Sequence, residues 1–318
     1  MNKKEITWLS NFAKTWKDRE SHGRVPHAVL LTGPVGVGKR AAATWIAARH
    51  LGIDTAAALP GYPTGALAHS DLRWIAPLED KQTIGIEQIR ELAAEFSLTS
   101  YEGHGKAAII EPANAMTHNA ANSLLKTLEE PPGAAIMILI ADRAGRLPAT
   151  IFSRCQRIDI ALPGEAEGLA WLDQLQPGTD WRGALRLAGG APLAAVAALD
   201  QIDTHATMSR DFSAVAKGRS SPIEVASRWM KLDTAFVLDW MAREVQEAIL
   251  VASNAAQAPV TPAIDESVLK RMDRRNLFCY LDIINRLRGQ PKGSFNVQLT
   301  LESLLIDWAE GLAQRKPA

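Results

Sequence analysis

The feature that most narrows the fold is a short apolar run that feeds a glycine-rich loop. Ala28-Val29-Leu30-Leu31 reads as a buried strand ending at Thr32-Gly33. Gly33-Pro34-Val35-Gly36-Val37-Gly38-Lys39-Arg40 follows at once, and the Ala-rich stretch Ala41–His50 then reads as a helix. A strand, a glycine loop and a helix start in that order bring backbone N–H groups together at the positive end of a helix dipole, which makes an anion cradle. Gly33, Gly36 and Gly38 allow close backbone approach, and Lys39 is placed to reach the outer phosphates of a nucleotide.

The same loop departs from its pattern at one decisive place. A magnesium-dependent phosphate loop needs Ser or Thr directly after the lysine, and this chain has Arg40. A guanidinium has no lone pair for a cation and repels it. A second apolar strand, Ala107-Ala108-Ile109-Ile110, leads to Glu111-Pro112-Ala113-Asn114, where a hydrolase of this kind carries acidic residues that handle magnesium and water. One carboxylate is left, proline takes the next place, and Asn114 cannot act as a base. Two separate losses in the metal chemistry predict a chain that does not hydrolyse nucleotide alone.

A long motif pair spans Thr117 to Arg157. Asn119-Ala120-Ala121-Asn122-Ser123-Leu124-Leu125-Lys126-Thr127-Leu128-Glu129-Glu130-Pro131-Pro132 puts Ala121, Leu124, Leu125 and Leu128 on one helix face. Thr117 is the expected N-cap, and the proline pair stops the helix at Glu130. Two carboxylates at the negative end of a helix are in local electrostatic conflict. The strand Ile136–Ile140 comes next, then Ser153-Arg154-Cys155 in a turn before the strand Arg157-Ile158-Asp159-Ile160.

Leu-Leu-Lys-Thr-Leu-Glu-Glu-Pro-Pro followed at this distance by Ser-Arg-Cys resembles the AAA+ ATPase module of bacterial replicative clamp loaders. The resemblance implies a P-loop NTPase-type parallel α/β domain over 1–162, a small helical lid over 163–206 and an all-α collar domain over 207–318, through which subunits assemble. Lid helices are predicted at Ala166–Leu175, Trp181–Ala188 and Pro192–Leu199. In the third part Trp229, Leu232, Phe236 and Trp240 form one stripe, residues 254–264 read as a linker, and Leu277, Leu281, Ile284 and Leu287 line a further helix. The ending Asn296-x-x-Leu299-x-Leu301-Glu302-x-Leu304-Leu305 resembles the family's collar.

Within that family Arg154 is the residue that projects into a neighbour's nucleotide site, so the resemblance makes it an arginine finger acting in trans. The losses at Arg40 and after Glu111 resemble the family's non-hydrolysing members; the alternative is an ATP-hydrolysing gamma/tau-type motor. A small-molecule phosphate-loop kinase is disfavoured, because the collar-like part has no purpose there. The implied partners are gamma/tau and delta subunits, with the sliding clamp and primer-template DNA reached through the complex. No cofactor is expected to be required. Nucleotide held at Gly33, Gly36, Gly38 and Lys39 stays an open alternative, and the family's cysteine zinc module is not expected. Arg186, in the lid, reads as structural or interfacial.

Composition constrains the rest. Lys+Arg and Asp+Glu are both 35, so no overall basic field draws the chain to nucleic acid. Cys155 and Cys279 are the whole cysteine complement, which is too few for a disulfide framework or a four-cysteine zinc site. His50 and His69 have no ligand companions at metal spacing, and Cys155 reads as a packed small residue. Met1-Asn2-Lys3-Lys4 has no apolar core behind it, and no run of about 18 apolar residues appears. The expectation is a cytoplasmic protein with no metal site and no membrane partner.

Overall fold

Continuous apolar strands alternating with helical periodicity require a sheet covered on both faces. The computed structural model describes residues 4–53, 57–65, 67–79, 81–142, 147–253, 272–290 and 294–312. The chain divides into two units, 1–199 and 200–318.

The first unit opens with β1 (Lys4–Glu5), a 3-10 turn at Thr7–Leu9 and α1 (Ser10–Ser21). There follow β2 (Ala28–Thr32), α2 (Lys39–His50), β3 (Gly61–Tyr62), β4 (Leu72–Ile75), α3 (Ile86–Phe96) and β5 (Lys106–Ile110). Next come α4 (His118–Glu129), β6 (Ala135–Ala141), α5 (Ala149–Phe152) and β7 (Gln156–Asp159). A parallel five-stranded sheet runs in the order β4-β5-β6-β2-β7, and β1 pairs separately and antiparallel with β3. Leu30 of β2 lies opposite Leu139 of β6 on one side and Arg157 of β7 on the other.

Every residue of β2, β5 and β6 is buried, including Thr32 and Lys106 at the ends of their apolar runs, whereas the edge strands β4 and β7 carry exposed residues. Ile89, Leu92 and Phe96 of α3 pack with Ala121, Leu124 and Leu128 of α4 against Leu30, Ile110 and Leu139 of the sheet. Full burial of a side chain of this size contributes about 1.5–3 kcal/mol. Leu125 is only partly buried at the margin of this cluster. Thr117 caps α4 by accepting the Ala120 N–H at 3.2 Å, and Pro131-Pro132 follow its end.

The unit closes with α6 (Glu165–Leu175), α7 (Trp181–Leu187) and α8 (Pro192–Ala198). These helices are fastened to the α/β layer. Trp171 Nε1 donates to Glu5 O at 2.7 Å, Lys4 Nζ donates to Trp171 O at 3.0 Å, and Leu193 N donates to Gly36 O at 3.1 Å.

The second unit contains α9 (Ile202–Ala216), α10 (Pro222–Trp229), α11 (Thr234–Ala252), α12 (Arg274–Arg288) and α13 (Val297–Ala309). The boundary expected at 206/207 falls inside α9; the division lies at 199/200, in the 3-10 turn Leu199–Gln201. The stripe from Trp229 to Trp240 is not one helix, because Asp233 accepts the Phe236 N–H at 3.2 Å and starts α11 afresh. Trp229 and Trp240 are nonetheless both buried in one core with Phe212, Tyr280 and Trp308. Asp273 and Asn296 cap α12 and α13 in the same manner. The expected linker at 254–264 lies outside the described residues.

Candidate functional site

In an open parallel sheet the C-terminal strand ends form the crevice where ligands bind. Here Gly33 directly follows β2, Glu111 follows β5 and Asp142 follows β6, around the first turn of α2. Two glycines are required on steric grounds. A Cβ on Gly33 would lie 2.2 Å from Ile160 O, and one on Gly36 would lie 2.4 Å from Ala194 Cβ and 2.5 Å from Ala194 N. Gly38, at φ +102°, is the N-cap of α2. The loop is therefore tight against β7's exit on one side and covered by the first turn of α8 on the other.

Lys39 is buried at 5% exposure, and its three ammonium donors face protein oxygens: Gly33 O at 2.6 Å, Pro34 O at 2.6 Å and Asp142 Oδ1 at 2.8 Å. Arg40 donates from Nε to Glu111 Oε2 at 2.8 Å, and its guanidinium lies 5.3 Å from the centre of the Trp74 ring. Burial raises the Glu111 carboxyl above its ordinary range, and the Arg40 charge works against that rise. Asn114 Oδ1 accepts the Asp142 N–H at 3.3 Å, so it serves as a strut for the strand end. The crevice thus holds two cation–carboxylate pairs, Lys39–Asp142 and Arg40–Glu111.

Asp142 and Trp74 were not singled out in the sequence. The available signal for Asp142 was its place as the first polar residue after a central parallel strand.

Arg154 lies apart from that crevice, in the turn between α5 and β7. Its Nε donates to Glu129 Oε1 at 2.6 Å, Nη2 pairs with the same oxygen, and Nη1 donates to Thr150 O and Ser153 Oγ, each at 3.1 Å. Its side chain is one-third exposed (33%). The electrostatic conflict at the end of α4 is relieved by this guanidinium, a cation at a helix C-terminus. Cys155, next to it, is half-buried, and burial pushes its thiol up to about 12, which removes thiolate chemistry near neutral pH.

Other candidate residues have structural partners. His50 Nε2 faces Ala134 O at 3.1 Å, and His69 Nδ1 accepts the Asp71 N–H at 3.0 Å. Buried Asp71 itself gathers the N–H groups of Tyr101 and Glu102 and the Ser100 hydroxyl. Arg186 is exposed on α7. Among the described residues no group of three or more His, Cys, Asp or Glu is arranged to hold a metal ion, and no helix is long and apolar enough to cross a membrane.

A parallel sheet of this strand order, a glycine loop after a central strand and a three-helix lid define an AAA+ nucleotide-binding-type module, followed by a helical domain. A DNA polymerase III gamma subunit-related protein from Thermotoga maritima has the same fold, with a TM-score of 0.50 at 19% identity over 96% of this chain and 99% of that one. Residues 8–163 match the family described as DNA polymerase III, delta subunit. The chain is 30% identical over 320 residues to the DNA polymerase III subunit delta' of Pseudomonas aeruginosa, covering 92% of this chain and 95% of that one. With the Escherichia coli subunit delta' the identity is 32% over 251 residues, 75% of this chain and 73% of the relative. The chain belongs to the delta' family of DNA polymerase III clamp-loader subunits.

Proposed function

We propose that this chain is a non-hydrolysing stator of the clamp loader that supplies Arg154 in trans to the ATP of a neighbouring gamma/tau-type subunit. On this reading it works in the cytoplasm with gamma/tau and delta subunits and helps load the sliding clamp on primer-template DNA. One contrast carries the proposal. The cations of the crevice that would handle phosphate are paired with the carboxylates that would handle magnesium, as Lys39–Asp142 and Arg40–Glu111, while Arg154, held by Glu129, keeps a third of its side chain exposed at another edge.

The crevice residues do not fit a magnesium nucleotide. No hydroxyl follows Lys39, the Arg40 charge opposes a divalent cation, and α8 covers Gly36. Arg154 does fit the finger role, since a planar, permanently charged guanidinium neutralises charge on a transferring phosphoryl group, an effect worth about 10³–10⁵ in rate.

Radiolabelled ATP hydrolysis tests the proposal, using the chain alone, the chain assembled with gamma/tau and delta subunits, and the same assembly carrying Arg154→Ala. The expected result is no turnover alone, turnover in the assembly, and a severe loss confined to one site with Arg154→Ala. A variant that assembles normally and keeps full turnover at every site would remove the finger role. Turnover by the isolated chain would restore the motor alternative.

A further inference from the structure

We infer that Glu129 is a positioning residue for Arg154, an inference that rests on the finger reading above. A guanidinium carries five N–H donors in a rigid plane. Glu129 Oε1 takes Nε and Nη2 along one edge, and Thr150 O and Ser153 Oγ take Nη1 from behind. With the Nε donor, both Nη1 donors and one Nη2 donor engaged, the second Nη2 N–H is the donor left for a partner's oxygen. The side chain is thereby held in one of its many rotamers before any partner arrives.

The position of Glu129 is itself fixed. It is the last residue of α4, Glu130 is the C-cap, and Pro131-Pro132 stop the helix there. Leu124 and Leu128, buried on the opposite face, anchor that last turn to the sheet. The carboxylate therefore rides on a rigid element, while Arg154 sits in a turn after a four-residue helix. An arginine carries about 2 kcal/mol of rotamer entropy, and a displacement of about 1 Å at a reacting group costs on the order of 10²-fold in rate. As a half-exposed ion pair, Glu129–Arg154 contributes at most about 1 kcal/mol to folding. Its consequence for rate exceeds its consequence for stability, and that inequality separates positioning from plain surface pairing.

The test is single-turnover ATP hydrolysis by the full assembly, following the kinetic phase that Arg154→Ala abolishes. Glu129→Ala is expected to slow that phase about tenfold to a hundredfold, with the ATP concentration dependence unchanged within about twofold on the uniform-binding criterion. Glu129→Gln is expected to retain most of the rate, because its amide oxygen still accepts the Nε–H. In the Arg154→Ala background Glu129→Ala should add no further loss. A full rate in Glu129→Ala, or a loss additive with Arg154→Ala, overturns the inference and leaves the finger reading standing. An Arg154→Ala assembly that loses no phase overturns both. If Glu129→Ala fails to assemble, Glu129→Gln with a slowed phase and Glu129→Asp without rescue also count against positioning through this oxygen.

Discussion

The Nε–H of Arg40 meets Glu111 Oε2 at 2.8 Å, tying the first turn of α2 to the end of β5 by an ion pair. A magnesium-dependent relative of this fold keeps a hydroxyl and a carboxylate at these two places, with the cation between them. In this chain the cation is covalently part of α2. Glu111 is mostly buried at 17% side-chain exposure, so its charge depends on Arg40, while Arg40 itself is largely exposed at 61%.

That asymmetry sets a pH-dependent cost for Arg40→Ala. Burial has already raised the Glu111 carboxyl above its unfolded value, with Arg40 holding the rise in check. A raised carboxyl destabilises the fold above its ordinary range, and the penalty disappears as pH falls and the group protonates in both states. Removing Arg40 raises it further. Urea denaturation should show Arg40→Ala less stable by about 1 kcal/mol at pH 7, with a smaller difference at pH 5. Equal differences at both pH values would mean that the pair does not govern Glu111.

Restoring the missing hydroxyl should not restore nucleotide chemistry. In Arg40→Thr the three donors of Lys39 still face Gly33 O, Pro34 O and Asp142, the first turn of α8 still covers Gly36, and Pro112 still follows Glu111. Equilibrium binding of a fluorescent ATP analogue with magnesium should be no tighter than for the unaltered chain, and no turnover should appear. Micromolar binding by Arg40→Thr would show that Arg40 alone excludes the nucleotide.

Gly36→Ala tests whether α8 rests on the loop. The added Cβ would come within 2.5 Å of Ala194 N, at φ +82° where a side chain is already strained. A strained φ of this kind costs about 1–3 kcal/mol, and the close contact pushes α8 away and weakens the Leu193 N–Gly36 O bond. Limited proteolysis should cut faster within 163–199 in the variant, with the 200–318 unit unaffected. Unchanged cutting across 163–199 would count against the docking.

Much of this architecture was legible because burial and periodicity agree. The strand at Leu72–Ile75, the cap at Thr117 and the lid helices lie where their residue patterns put them, give or take an end residue. What was not legible depends on contacts distant in sequence. Glu129 and Arg154 meet across 25 positions, and the sequence shows only a crowded helix end and a lone arginine. Lys39–Asp142 joins the start of α2 to the end of β6, which no local motif connects. β1 and β3 have two residues each, too few to carry any periodicity. The break at Asp233 was hidden by apolar residues that continue on both sides of it, and local capping overrode the longer pattern.

Among the described residues of the helical unit, His205 titrates with a defined sign. His205 is buried at 4% exposure against the Phe236 ring, and burial, with the Arg243 charge behind it, lowers it to about 4. A histidine lowered on folding stays neutral in the native state while the unfolded chain takes up a proton below about 6.5. Stability should therefore fall as pH drops from about 6.5 toward 4, by up to roughly 2–3 kcal/mol from this residue. His205→Leu should flatten that part of the urea midpoint-versus-pH curve. An identical slope in the variant would assign the loss to other groups.

The same unit allows a comparison of two forces in one place. Tyr280 is fully buried, its hydroxyl donates to Leu304 O at 2.7 Å, and its ring lies 5.7 Å from that of Trp308. Trp308 in turn stacks on Phe212 at 4.2 Å with an interplanar angle of 10°. Tyr280→Phe removes one hydrogen bond and keeps the packing, so it should cost about 0.5–1.5 kcal/mol. Trp308→Ala leaves a cavity beside Phe212 and Tyr280 and should cost about 3–5 kcal/mol. Thermal denaturation of 200–318 within the full chain should rank the two variants in that order. The reverse ranking would mean that the α12–α13 pairing depends on the buried hydroxyl and not on the aromatic stack.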